Sequence, residues 1–475
     1  MKICLIAEGS YPYITGGVSS WIQTLIENIP EHEFIIYAIG AEERLKGHFK
    51  YQIPQNVREI KEVFLDSYLM EETTWGNRYR LSADEKRALK MLFESTSTDW
   101  TVLFDLFSGD KIDSVSNFLT SKDFFDIIQE VCLDKYSHLP FTDMFWTLRS
   151  MVLSLFQCIA HPVPEADLYH SVSTGYAGVI GSLAAYLYQK PYLITEHGIY
   201  TREREEEIIK ADWVKGYFKD LWIQYFYNMS NCAYQFSDQV ISLFEKNREI
   251  QVEIGCPIEK TKIVRNGINL SKYQPLQEIQ QRDDSVINIG AIVRVVPIKD
   301  IRTMLQAFAI VKTEIPNAVF YIMGPTEEDS DYYNDCLYLL ETLGTHDVIF
   351  TGEVNIKEYI RKMDVLVLTS ISEGQPLAIL EGMASEIPYV STDVGSCKEL
   401  LLGINDEFGE AGIIAPVMHY TDIANAIIKL AMNRELRERM GKNGRRRVSY
   451  LYTEEQFIDN YKHLYQTMMG ESWLE

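Results

Sequence analysis

Val365-Leu-Val-Leu-Thr369-Ser370-Ile-Ser-Glu373-Gly-Gln375-Pro376-Leu-Ala-Ile-Leu-Glu381 joins a short apolar run, a polar loop and a second apolar run that opens on proline. The first run reads as a buried strand over 365–369. Proline has a fixed φ and no N–H, so Pro376 suits the first helical position, and a helix is predicted over 376–385. Strand, loop and helix in succession form the repeating unit of an open α/β sheet. The N–H groups near Gln375, Leu377 and Ala378 then lie at a helix start, available to an anion or a sugar oxygen. Two readings of the carboxylates stand. Glu373 and Glu381 grip different parts of an elongated ligand, or Glu373 caps the helix and Glu381 faces solvent. A glycosidase pair is defined by its separation across the scissile bond. The placement of this pair beside a helix start argues instead for binding a phosphorylated ligand.

Outward from this stretch the same rhythm continues. Strands are predicted at 286–293, 318–323, 348–351, 388–391 and 412–415. Helices alternate with them at 300–313, 331–343, 355–362 and 396–402, and 421–432, 434–448 and 454–468 follow. Such alternation favours parallel sheets. The first half opens likewise, with a strand at 2–7, a loop containing Gly9, Pro12, Gly16 and Gly17, and a helix with Val18, Trp21, Ile22, Leu25 and Ile26 at helical spacing. Strands at 34–39, 168–172, 192–195, 240–243 and 262–264, with helices at 177–187 and 214–230, complete a second sheet. Residues 60–160 break the rhythm and read as a largely helical insertion, with helices near 84–94, 123–135 and 143–159. Residues 274–285 are the best linker. The expected organisation is two open α/β domains facing across a cleft, 1–275 and 276–455, with a terminal helix over 456–475 returning to the first.

The chain of 475 residues carries 45 Lys and Arg against 68 Asp and Glu, a net charge of −23. A global nucleic-acid binder is excluded on that balance, since backbone binding needs a cationic surface. Seven cysteines at wide spacing, with no CxxC, fit a reducing compartment. No signal peptide is visible, and the longest uncharged run, Leu168–Gln189, is too polar to face lipid. A cytoplasmic protein is expected. No Walker A, GxGxxG, HExxH, DxD or dense His/Cys cluster occurs, so no metal and no cofactor is called for.

Arg294 and Lys299 follow the 286–293 strand directly, and both can project at one mouth of the sheet. Paired cations fit a diphosphate; ordinary solvated side chains are the alternative. His197 ends a strand and precedes Gly198, where it can meet a sugar hydroxyl or serve only structure. Gly16 and Gly17 permit close approach of a ligand to backbone amides, or serve a turn. Positions 434–447 are strongly basic, which suits an anionic lipid or acidic partner, or a solvated helix packed through Leu436 and Met440.

With these residues in hand, the sequence resembles the retaining nucleotide-sugar glycosyltransferases of family 4, which have the GT-B fold. The matching landmarks are Gly16-Gly17, His197, Arg294 with Lys299, and Glu373–Glu381 as E-x7-E, in the expected order. The insertion at 60–160 and Thr195-Glu-His-Gly-Ile-Tyr-Thr-Arg-Glu-Arg204 look like the PelF branch, which serves Pel-type exopolysaccharide synthesis in biofilms. The resemblance implies two Rossmann-like domains and a UDP-sugar donor, UDP-glucose first and a UDP-N-acetylhexosamine next. It implies a growing exopolysaccharide or other sugar as acceptor, within a membrane-associated complex at the inner face of the membrane. By the same resemblance Arg294 and Lys299 bind the diphosphate and Glu381 the ribose. Glu373, Gly374, Gln375, Pro376 and Leu377 orient the sugar and diphosphate, His197 faces the transferring sugar, and Gly16 and Gly17 approach phosphate or acceptor. Gln375-Pro376 departs from the aromatic-rich form of this loop, which bears on sugar choice. A nucleotide-sugar epimerase and a non-enzymatic nucleotide-sugar sensor are the alternatives.

Overall fold

The computed structural model describes residues 1–67, 73–94, 97–273, 285–404 and 406–470. The expected linker, apart from Ser285, and the expected domain boundary at 275/276 lie outside the described residues. The chain divides into two compact units, Met1–Ile263 with Tyr461–Glu475, and Val264–Asn460.

The first unit is built on seven parallel strands: β1 (Lys2–Glu8), β2 (Glu33–Gly40), β3 (Val57–Phe64), β4 (Leu168–Ser171), β5 (Tyr192–Glu196), β6 (Gln239–Ser242) and β7 (Thr261–Ile263). Their order is β3-β2-β1-β4-β5-β6-β7, so the winding reverses between β1 and β4. β1 is buried from Ile3 to Ala7, the near-continuous apolar run that a sheet covered on both faces requires. The Gly17–Glu27 helix packs Trp21, Ile22, Leu25 and Ile26 into the core.

β3 runs from Val57 into the span expected to be helical. It is an edge strand whose sequence, Val-Arg-Glu-Ile-Lys-Glu-Val-Phe, buries only Val63 and Phe64. Its charged positions hide the strand signal. The helices that follow, Ala83–Glu94, Trp100–Ser108, Val115–Phe118, Lys122–Lys135 and Phe141–Ala160, share an aromatic core in which Phe107 stacks on Phe156 at 3.9 Å and Phe118 meets Phe124 edge-on at 5.8 Å. Two of them occupy the stretch 95–121 that carried no sequence assignment. A further helix, Tyr200–Lys210, buries only Tyr200, Thr201 and Ile208 and is laced by ion pairs between neighbouring turns, so it lacks an apolar period.

The second unit has six parallel strands: β8 (Ile287–Ile292), β9 (Ala318–Met323), β10 (Val348–Gly352), β11 (Val365–Leu368), β12 (Tyr389–Thr392) and β13 (Gly412–Ala415). The order β10-β9-β8-β11-β12-β13 reverses between β8 and β11. Asn266-Gly267 is not a tight turn. A Cβ on Gly267 would lie 2.1 Å from the Thr453 carbonyl, and Ile268 pairs with Thr453, so the glycine permits close approach of two backbone segments. The terminal helix Glu454–Met468 places Tyr461 and Tyr465 in the first unit, where both are fully buried.

Candidate functional site

In an open α/β sheet, ligands bind beyond the carboxyl ends of the strands where the winding reverses. In the second unit that point is flanked by the loops after β8 and β11. The loops are tied together: Ile371 N–H donates to the Ile298 carbonyl at 2.9 Å, and the Thr369 hydroxyl donates to the carbonyls of Lys299 at 3.0 Å and Asp300 at 3.1 Å. Two glycines let other loops press against them. A Cβ on Gly324 would lie 2.1 Å from the Val293 carbonyl, and one on Gly395 2.3 Å from those of Glu373 and Gly374. Both have positive φ, at 148° and 52°.

Lys299 and Glu373 meet here. Lys299 Nζ lies 2.5 Å from Glu373 Oε1, with side chains only 17% and 11% exposed. The Ser370 hydroxyl donates to the same oxygen. Arg294 is not part of this pair; its guanidinium contacts Glu328 at an exposed position. Pro376 is the N-cap rather than the first helical residue, and the helix runs Leu377–Ala384 with no side-chain cap. The N–H groups of Leu377 and Ala378 therefore have no partner among the described residues. Glu373 does not cap the helix, and Glu381 is not a freely solvated helical carboxylate. The Tyr273 hydroxyl donates to Glu381 Oε1 at 2.7 Å, while burial pushes the carboxyl up from its ordinary value. Gln375 is buried and accepts the Asn266 N–H at 2.7 Å. Tyr273, Ser370, Glu328 and Asn266 were missed as partners. Ser370 was visible beside the motif, whereas the others come from distant chain segments.

The reversal point of the first unit is arranged differently. Glu8 ends β1, and its Oε2 accepts the Ala177 N–H at 3.1 Å and the Ser173 hydroxyl at 3.3 Å, filling the start of the Tyr176–Tyr188 helix. Glu196 is buried, accepting from Thr174, Tyr200, Tyr234 and Gln251. His197 packs edge-on against Trp21 at 4.7 Å between ring centroids. Burial holds its imidazole down to about 4, so it is neutral at ordinary pH, and its buried Nε2 has no hydrogen-bond partner among the described residues. A Cβ on Gly198 would lie 2.0 Å from Glu203 Oε1, which makes the glycine a point of close approach. Gly16 is the N-cap of the Gly17–Glu27 helix, without a side-chain cap, and a Cβ on Gly16 or Gly17 would meet nothing. His170 is structural: its ring nitrogens bond the Tyr465 and Thr195 hydroxyls, both at 2.8 Å.

The basic helix Arg434–Leu451 turns several of its cations inward. Arg447 is fully buried, bidentate to Asp406 at 2.8 and 2.9 Å, and donates to the carbonyls of Leu400, Leu401 and Gly409. Arg445 donates to the carbonyls of Tyr273 and Ala384, and Arg437 to those of Leu430 and Ala431. Among the described residues no group of His, Cys, Asp or Glu side chains is arranged to hold a metal ion, and no helix is long and apolar enough to cross a membrane.

Residues 1–259 match the family described as Domain of unknown function (DUF3492), and residues 274–447 match Glycosyl transferases group 1. The chain is 25% identical over 338 residues to the capsular polysaccharide biosynthesis glycosyltransferase CapM of Staphylococcus aureus, covering 68% of this chain and 83% of that one. It is also 25% identical over 317 residues to the UDP-Gal:alpha-D-GlcNAc-diphosphoundecaprenol alpha-1,3-galactosyltransferase of Escherichia coli, covering 64% and 76%. Sucrose-phosphate synthase from Thermosynechococcus elongatus superposes with a TM-score of 0.64 at 16% identity, covering 99% of this chain and 100% of that one. Anabaena HepE in complex with UDP and glucose gives 0.60 at 14%, covering 98% and 100%. These neighbours share the GT-B fold. The chain belongs to the DUF3492 family, its residues 274–447 match the group 1 glycosyltransferases, and it is a glycosyltransferase with the GT-B fold.

Proposed function

We propose that this glycosyltransferase moves a hexosyl unit from a UDP-sugar, UDP-glucose first and a UDP-N-acetylhexosamine next, to a growing exopolysaccharide or other sugar acceptor, with retention at the anomeric carbon. The observation that carries the reading is the Lys299–Glu373 pair, shielded from solvent beside an uncapped helix start where the second sheet reverses. HepE, a fold neighbour solved with UDP and glucose, supports the donor class, and CapM supports polysaccharide synthesis. The resemblance of 60–160 and Thr195–Arg204 to the PelF branch supports Pel-type exopolysaccharide as the product and a membrane-associated complex as the setting.

In this reading the diphosphate takes the N–H groups of Leu377 and Ala378, with Lys299 beside them. Lys299 has three donors, so it can keep Glu373 and still reach a phosphate oxygen. Arg294 is held by an exposed pair worth about 0–1 kcal/mol and is released to the phosphate at little cost. Glu381, steadied by Tyr273, accepts the ribose hydroxyls. The bond between the anomeric carbon and the β-phosphate oxygen breaks with its electron pair leaving on that oxygen of UDP, while an acceptor hydroxyl attacks the same face. Its proton passes to the departing phosphate oxygen, so no protein base is needed. Fixed cations and amides stabilise the charge that grows on UDP. On the first unit, His197 is the proposed contact to the transferring sugar, and Gly16 and Gly17 those to phosphate or acceptor.

Nucleotide sugars incubated with and without acceptors, with mass detection of UDP and products, test this. Acceptor-linked product with UDP release is expected, undiminished by EDTA. An isomerised nucleotide sugar without acceptor product would mean an epimerase, and saturable binding with no product a sensor.

A further inference from the structure

Asn266 and Gln375 lie far apart in the chain and meet in the second unit, 7% and 6% exposed. Gln375 Oε1 accepts the Asn266 N–H, which settles which end of the amide faces the backbone, since only the oxygen can accept. That leaves Gln375 Nε2, a donor, and Asn266 Oδ1, an acceptor, buried and without partners among the described residues. They do not bond each other. Native interiors rarely leave two such groups unpaired in one place, and a bound ligand is one reason they do.

Both residues are held from behind. Arg265 bonds Glu399 Oε1 at 3.1 Å, and Ile268 N–H donates to the Tyr452 carbonyl at 3.0 Å, which fixes the segment carrying Asn266. Gln375 lies between Glu373 and Pro376, the N-cap of the uncapped helix. A hydroxyl accepts one hydrogen bond while donating another, and so matches an unpaired donor beside an unpaired acceptor. A phosphate oxygen only accepts and would face the Asn266 carbonyl oxygen unfavourably.

We propose that Asn266 and Gln375 together read one hydroxyl of the donor's sugar, Gln375 Nε2 donating to it and Asn266 Oδ1 accepting from it. This rests on the donor-site reading above and adds sugar selection to it.

The test is calorimetric titration with UDP, UDP-glucose, UDP-galactose, UDP-N-acetylglucosamine and UDP-N-acetylgalactosamine. The tightest UDP-sugar is then carried into Gln375→Glu and Asn266→Ala. Gln375→Glu keeps an oxygen for the Asn266 N–H and replaces the Nε2 donor by a charged oxygen that only accepts, so it decides the matter if Asn266→Ala does not fold. The readout is the ratio of the UDP Kd to the UDP-sugar Kd, which cancels any effect on the diphosphate. A fall in that ratio of about tenfold in each folded variant is expected. An unchanged ratio, or a wild-type ratio near one, overturns the inference while leaving the donor site standing. Failure of the wild-type protein to bind UDP at all overturns the donor-site reading, and this inference with it.

Discussion

The two sheets reverse their winding at equivalent places, β1 against β4 and β8 against β11, yet the two reversal points have opposite chemistry. In the first unit the helix after β4 starts against the protein's own carboxylate, with Glu8 taking the Ala177 N–H. In the second unit the helix after β11 starts uncapped, with Lys299 beside it. A helix start carries partial positive charge. One unit fills its helix start with its own Glu8 side chain, and the other leaves its start uncapped beside the Lys299–Glu373 pair. Of the two equivalent helix starts, after β4 and after β11, the side chains fill the first and leave the second open.

The contrast can be broken or sharpened by substitution. The largest effect is expected from Arg447→Met. It strands buried Asp406 and should cost about 3–5 kcal/mol in urea denaturation of the second unit. Wild-type stability in that variant would return the basic helix to the surface roles open to it by sequence. Next is Lys299→Met, for which turnover of the preferred UDP-sugar should fall by about 100-fold or more, as when one donor to transition-state charge is lost. Normal turnover would remove the distinction between the two reversal points.

Glu8→Ala should cost about 1–2 kcal/mol of stability, as for loss of a helix cap, while the Kd for UDP stays at the wild-type value. A weakened UDP Kd would give the first unit a share in nucleotide binding. The effect that is smallest near neutral pH concerns protonation. Burial holds the His170 ring down to about 3 against an unfolded value near 6.5. Its contribution is complete above that unfolded value and declines as pH falls, because the unfolded chain takes up the proton first. Below pH ~6 the slope should approach about 1.4 kcal/mol per pH unit. His170→Asn should flatten the acid limb of stability by that amount, and identical limbs would mean the ring titrates as it does in the unfolded chain.

Much of this was legible because parallel strands buried on both faces read as apolar runs, and helices between them carry a regular period. Strand Val365–Leu368, the loop to Pro376 and the helix beyond it were visible from local pattern, with one residue of error at the cap. β3 and the Tyr200–Lys210 helix were hidden for a common reason. Each buries little, so charge dominates its sequence. The candidate residues were nameable from motif order, but their partners were not. Lys299 was grouped with Arg294 on charge and position, whereas the fold pairs it with Glu373 and sends Arg294 to Glu328.

By itself the sequence determined the α/β class, the alternation of elements and the short set of polar residues at loop positions, because these follow from periodicity and backbone chemistry within one segment. Only the tertiary structure decided which helix start is filled, which cations of the 434–447 stretch turn inward, and that Tyr273 meets Glu381 and Asn266 meets Gln375. The Glu8, Tyr273 and Asn266 contacts bring together residues more than 100 positions apart and the Arg447–Asp406 pair residues 41 apart, which no local pattern encodes.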